Sequence, residues 1–146
     1  MAIQTNIIWK DLKAVGLITN YVSASTSVRL MVYSGTMPSS TVWNTAFDLS
    51  AYASQLLVGW TSFNLSRSNN TVSFGNTPPS ATNATGTGTA TWVVMCYGPT
   101  SFTTGTTSEY IIGVPSLTNS NGLLQLNTLN ITTGLSVIPV NFNITF

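Results

Sequence analysis

The sequence predicts an all-β fold: a single antiparallel β-sandwich of about seven strands, jelly-roll or Ig-like, behind a short N-terminal helix or arm. Three observations predict it. Short runs of β-branched and aromatic residues recur along most of the chain, separated by Gly, Pro, Asn and Ser. Several of these runs alternate apolar and polar side chains, as strands with one buried face do. Charged residues make up only 5% of the chain, against roughly 25% in ordinary globular domains. Thr, Ser and Asn supply the polarity instead, and these short side chains favour strands and turns over helices. A length of 146 residues fits one domain. It divides into an arm over 1–24 and a sandwich over 25–146.

The first segment departs from the strand pattern. In NIIWKDLKAVGLITNYVS, Ile8, Leu12, Val15 and Ile18 recur at helical spacing. That predicts a short amphipathic helix over 7–22 with Asn6 as its cap. Gly16 and Thr19 weaken the pattern, and an extended arm packed on a neighbour is the rival. The period then changes to two. In VRLMVYSGTMP, Val28, Leu30 and Val32 face one way, and Arg29, Met31 and Tyr33 the other. Ser34-Gly35 ends this run, and Pro38 forbids its continuation.

Residues 39–54 form a long connection. QLLVGWTSFNLS predicts a strand over 55–65, and NNTVSFG a short one entered through an Asn-Asn turn. NTPPSATNATGTG, 76–88, is a loop. TATWVVMCYG, 89–98, is continuously apolar and predicts a central strand buried on both faces. After the turn region PTSFTTGTTS, EYIIGVP over 109–115 is the next strand. NGLLQLNTLNI and LSVIPVNFNITF close the chain on either side of Thr132-Thr133-Gly134. In the last run Ile138, Val140, Phe142, Ile144 and Phe146 alternate with Pro139, Asn141, Asn143 and Thr145, which predicts one core face and one wet face.

Site chemistry is sparse. With no histidine, Ser-His and Cys-His nucleophile pairs and histidine-ligated metals are ruled out within the chain. Cys96 is the single cysteine, so no intrachain disulfide forms, and its apolar surroundings predict an inert core thiol. The acids Asp11, Asp48 and Glu109 do not make a convincing two-carboxylate site. TGTGT at 85–89 precedes a strand and lacks a lysine, so it is no phosphate loop. The expectation is a non-enzyme without cofactor or metal.

Net charge is +1, and Arg29 and Arg67 stand alone. No basic stripe offers itself to nucleic acid. No 18-residue apolar window crosses a membrane, and MAIQTNIIWKDLK lacks a signal-peptide core. Five Asn-x-Ser/Thr triplets, starting at Asn64, Asn69, Asn83, Asn130 and Asn143, follow from a composition rich in Asn and Thr. Candidate partner-binding residues are Trp9, Lys10 and Lys13 in the first segment, and Trp43, Phe47 and Tyr52 in the 39–54 connection. Aromatics in partner-facing loops are what interface hot spots use. A loop carrying three of them either folds onto its own sandwich or is offered to a partner, and sugar stacking is a competing use.

VRLMVYSGTMPSS resembles the opening strand of a family of small tailed-phage virion structural proteins, where a strand of the form lriYsGt.Pa follows a short helical segment. LLVGWTSFNLS resembles the family's LLatltFs strand, and ATGTGTATWVV its a.asGtAtwfr segment. The ending from YIIGVP to NFNITF resembles a G-V strand leading to l.l.t..i..G..v.i.sftit. The pieces keep the family's order over most of 27–146. Val94 stands where the family tends to carry a charge, YGPTSFTTGTTSE replaces a short Asp-Gly turn, and the 39–54 connection is longer.

The resemblance implies a virion structural protein, foremost a capsid decoration (cement) protein bound to the major capsid protein lattice. Apolar and aromatic side chains with almost no charge to repel a twin predict that it also binds copies of itself, as a trimer or around a local symmetry axis. The resemblance implies synthesis in the host cytoplasm and a place on the capsid exterior. It brings no catalytic residue, cofactor, nucleic acid or membrane. A neck, tail or fibre-associated subunit is the alternative within the virion. A carbohydrate-binding β-sandwich module using Trp43 and Tyr52 is the alternative outside it.

Overall fold

All six side chains of Val28–Tyr33 are buried, so both faces of this strand are covered. The sequence alternation predicts only two opposed faces, and leaves open what covers the second. The computed structural model describes residues 3–5, 28–38, 46–69, 71–107, 110–117 and 122–145. In chain order the strands are β1 (Ile3–Thr5), β2 (Val28–Tyr33), β3 (Phe47–Asp48), β4 (Leu56–Trp60), β5 (Leu65–Ser68), β6 (Thr71–Phe74), β7 (Thr82–Asn83), β8 (Gly88–Thr89), β9 (Trp92–Tyr97), β10 (Thr106–Thr107), β11 (Tyr110–Gly113), β12 (Pro115–Leu117), β13 (Leu124–Leu126), β14 (Asn130–Ile131), β15 (Ser136–Val137) and β16 (Pro139–Thr145). A 3-10 helix, Leu49–Gln55, follows β3.

The fold is all-β and built from several sheets. The first five-stranded sheet has the order β1-β11-β9-β2-β4, antiparallel throughout. The second has the order β12-β13-β16-β6-β5, antiparallel except for the parallel pair β12–β13. Three two-stranded ladders, β3–β10, β8–β14 and β7–β15, tie the connections down.

Two apolar clusters account for the burial. Leu30, Val32, Val93, Met95 and Ile111 of the first sheet join Leu65, Val72, Leu124, Phe142 and Ile144 of the second in one cluster. Met31, Tyr33, Trp92, Val94, Cys96 and Ile112 point the other way and form a second cluster with Phe47 and Leu49. Each such side chain stabilises the fold by roughly 1.5–3 kcal/mol on burial. β9 is therefore buried on both faces, as its unbroken apolar run predicts.

Four expectations need correction. Sixteen strand segments stand among the described residues, where the runs of the sequence predict about seven strands. The run 55–65 is two strands in two sheets. β4 ends at Trp60, Ser62 takes φ 62°, and β5 begins at Leu65 in the other sheet. Asn64 holds this corner: its backbone N–H donates to Thr77 O at 3.0 Å, and its Oδ1 accepts from Thr77 N–H at 2.8 Å.

The end of the connection 39–54 is the 3-10 helix, which runs on to Gln55 and is capped where Asp48 Oδ1 accepts from Ser50 N–H at 3.0 Å. The helix predicted over 7–22 lies outside the described residues. Residues 3–5, inside the segment read as helix or arm, are the edge strand of the first sheet.

The closing strand changes phase. Gln125 pairs with Asn141 and Leu126 with Pro139, so Val140 has no residue opposite it and forms a bulge. A one-residue insertion exchanges the two faces. Phe142 and Ile144 are buried as their alternation predicts, but Ile138 and Val140 are each 44% exposed.

Candidate interaction surfaces

The aromatic connection folds onto its own sheet. Asp48 caps the 3-10 helix and turns the chain back across the first sheet. Phe47, 1% exposed, stacks on Tyr52 with ring centroids 5.1 Å apart. Tyr52 meets Trp92 edge-on at 5.1 Å, and Trp92 stacks on Tyr33 at 4.2 Å. The indole N–H of Trp92 donates to Ser34 O at 2.9 Å. Gly35 follows at φ +80°, a left-handed turn suited to glycine, which brings the chain back under Gln55: Ser34 N–H donates to Gln55 O at 3.0 Å. Of the candidate partner residues, Phe47 is thus a core side chain and Tyr52 a half-buried one stacked on it. Trp9, Lys10, Lys13 and Trp43 lie outside the described residues.

Cys96, Tyr33 and Tyr110 are held in their neutral forms. Burial pushes the Cys96 thiol up to about 12, partly opposed by the nearby Arg29 charge. Burial also raises the Tyr33 phenol well above its usual range, with Cys96 and Tyr52 adding to it. Tyr110 is raised for the same first reason. A buried thiol kept protonated is no nucleophile.

Arg29 is 7% exposed. Its guanidinium donates to Thr61 Oγ1, to Thr100 O at 2.8 Å and to Val28 O at 3.3 Å, and it lies 5.3 Å from the Phe102 ring centre. The 100–107 segment is thereby pinned over the first sheet beside the aromatic connection. Thr107 Oγ1 donates to Tyr97 O at 2.7 Å and completes the attachment. A lone arginine in a strand gave no sequence signal for this clamp, because its partners are a distant threonine and two carbonyls.

The surface missed in the sequence is apolar. Leu135, Ile138 and Val140 are 40%, 44% and 44% exposed, and Val114 and Leu117 are exposed as well. The first three fall on one short stretch around the bulge. The only signal for it is Pro139, which marks an irregular strand.

Among the described residues, no group of three or more His, Cys, Asp or Glu side chains comes together to hold a metal ion, and no helix is long and apolar enough to cross a membrane. No protein-family model, curated protein or solved structure matches the chain.

Proposed function

We propose that the chain is a tailed-phage virion structural protein, a capsid decoration (cement) protein that binds the major capsid protein lattice and copies of itself. In this reading the two five-stranded sheets are the layers of a β-sandwich with the loops of its first sheet folded back as a third covering. The observation that carries the reading is the ordered resemblance of the strand segments over 27–146 to that family. Leu135, Ile138 and Val140, each exposed and close in sequence, are the side chains this reading would place at a lattice contact. Many weak copies on a lattice gain avidity, so no single contact must be strong. The same surface, with few charges to repel a twin, suits a trimer around a local symmetry axis.

Copy number in purified particles tests the proposal. Hundreds of copies per particle are expected for a capsid exterior protein, whereas six to a few dozen place it on the neck, tail or fibre. Absence from particles, with reproducible binding to one glycan on an array, overturns the virion reading in favour of a carbohydrate module. Tyr52 stacked inward on Phe47 weighs against that module.

A further inference from the structure

β1 is held in the first sheet through one neighbour. Its residues pair with β11 in the register Ile3–Gly113, Gln4–Ile112 and Thr5–Ile111, and β11 pairs on its other side with β9. β11 is buried along its whole length, with Tyr110, Ile111 and Ile112 each 1% exposed. It is an interior strand by composition, and an edge left open there would present unpaired backbone groups beside apolar side chains. At the opposite edge of the sheet, one carbonyl, Leu57 O, accepts from Thr85 and Gly86 N–H at 2.8 and 3.1 Å. The β11 edge is paired by a strand more than a hundred residues away in the chain.

Residues 6–27 connect β1 to β2. The sheet order puts β11 and β9 between them, a lateral distance of roughly 15 Å. A stretch of about 22 residues reaches up to about 70 Å when extended. Covalent geometry therefore does not decide which copy's β1 lies on a given β11.

We propose that the β11 edge is a strand-acceptor site, and that its partner is the Ile3–Thr5 strand of a second copy of this chain, exchanged for the chain's own. The ladder is identical in the closed and exchanged forms, so the two differ only in connection entropy and concentration. A chain presents its own strand at an effective concentration on the order of millimolar. Free copies at micromolar concentration stay closed. Copies held side by side near millimolar local concentration exchange strands and are tied to their neighbours. A three-residue strand at a sheet edge is at the low end of local stability, so it opens readily. The inference goes beyond the virion reading, and its test needs no particle.

Two variants, Gln4→Cys and Ile112→Cys, are purified, checked by thermal melt, mixed and oxidised near millimolar concentration without dilution, and a second mixture is oxidised at micromolar concentration. A disulfide between the two different variants forms only if β1 of one copy lies on β11 of the other. Both variants also carry Cys96→Ala, because Ile112 and Cys96 share one buried cluster on neighbouring strands. The mixed dimer is expected to exceed either like-with-like dimer by about tenfold, and to lose that excess when mixing is done at micromolar concentration. No excess near millimolar overturns the proposal. The pair Thr5→Cys and Ile111→Cys repeats the measurement if the first variants melt early. The wild-type chain gives an independent arm: it is expected to sediment as a dimer near millimolar concentration, and excess peptide MAIQT is expected to reduce that dimer. A dimer indifferent to the peptide, or no dimer at all, overturns the proposal.

Discussion

Arg29 shows how one side chain is committed to architecture. It stands at 7% exposure with its guanidinium spread over Thr61 Oγ1, Val28 O and Thr100 O. A planar fork can reach three acceptors on different segments, whereas an ammonium on a flexible stem cannot hold the same geometry. Arg29→Lys is expected to lower stability by about 1–3 kcal/mol, since hydrogen bonds to a charged group are lost in a buried place. For a chain of this size that is a fall in Tm of roughly 3–10 °C. A thermal melt checks it, and an unchanged Tm would show that the clamp contributes nothing.

Cys96 and Tyr33 set the alkaline limit at the same scale. The thiol is held up to about 12 in the fold, against an ordinary 9.0. Above 9 the unfolded chain releases this proton and the folded chain keeps it, so unfolding releases a proton and stability falls as pH rises. The contribution is whole below 9 and lost by about 12. Tyr33 acts with the same sign, starting from its ordinary 10.0. With no histidine in the chain, the urea midpoint is expected to stay flat from pH 6 to 8 and to drop above 9. In Cys96→Ala the drop is expected to start later. A midpoint that moves between pH 6 and 8, or a Cys96→Ala curve with the same onset, would contradict this.

At the scale of elements, the chain passes between its two large sheets at corners, and the corners carry the constraint. One lies at Thr61–Asn64 and one at Val114, between β11 and β12. At the second, a Cβ on Gly113 would stand 2.6–2.7 Å from Leu123 Cδ2 and Cβ, and Leu123 N–H donates to Val114 O at 2.9 Å. Gly113→Ala is expected to cost about 1–3 kcal/mol through overpacking, read as a lower urea midpoint. Gly113→Ala combined with Leu123→Gly, which removes both the Cδ2 and the Cβ contact, is expected to cost less than the sum of the two single changes. Additive costs would place the strain elsewhere.

These corners also mark where the sequence stops being legible. The apolar run of β9 and the alternation of Phe142 and Ile144 report burial directly, because side-chain period follows from the pleat. A corner leaves no such trace. QLLVGWTSFNLS reads as one strand, and only the positive φ of Ser62 splits it. The bulge at Val140 likewise moves Ile138 and Val140 outward against their pattern. For the candidate surfaces the same holds: the aromatic residues of 39–54 stand out in the sequence, but whether Phe47 faces in or out depends on the Asp48 cap and on Trp92, which is distant in the chain.

Over the whole molecule, charge decides little, and that bears on how it meets a partner. Of the charged side chains, Arg29 is buried beneath Phe102, and Asp48 is engaged with Ser50 N–H and Oγ. The exposed apolar stretch Leu135, Ile138 and Val140 offers area instead. Ile138→Ser with Val140→Ser is expected to change stability by less than about 0.5 kcal/mol, as exposed substitutions do, and, on the proposed capsid role, to weaken rebinding to stripped particles. A large fall in Tm would make these side chains structural, and undiminished rebinding would move the interface elsewhere.

Salt separates the physical kinds of interface. Screening acts on charges, and an interface of Thr, Ser, Asn and aliphatic side chains has few to screen. A phosphate binder with several contacts loses many decades of affinity between low and high salt. Here rebinding affinity is expected to change less than about tenfold between low salt and roughly 0.5 M. Lys10, Asp11 and Lys13 are three of the seven charges in the chain and form its one charged cluster. If affinity falls steeply with salt, the contact runs through that cluster, and Lys10→Gln with Lys13→Gln will flatten the dependence. If affinity is insensitive to salt and falls with Ile138→Ser and Val140→Ser, the neutral surface around the bulge makes the contact.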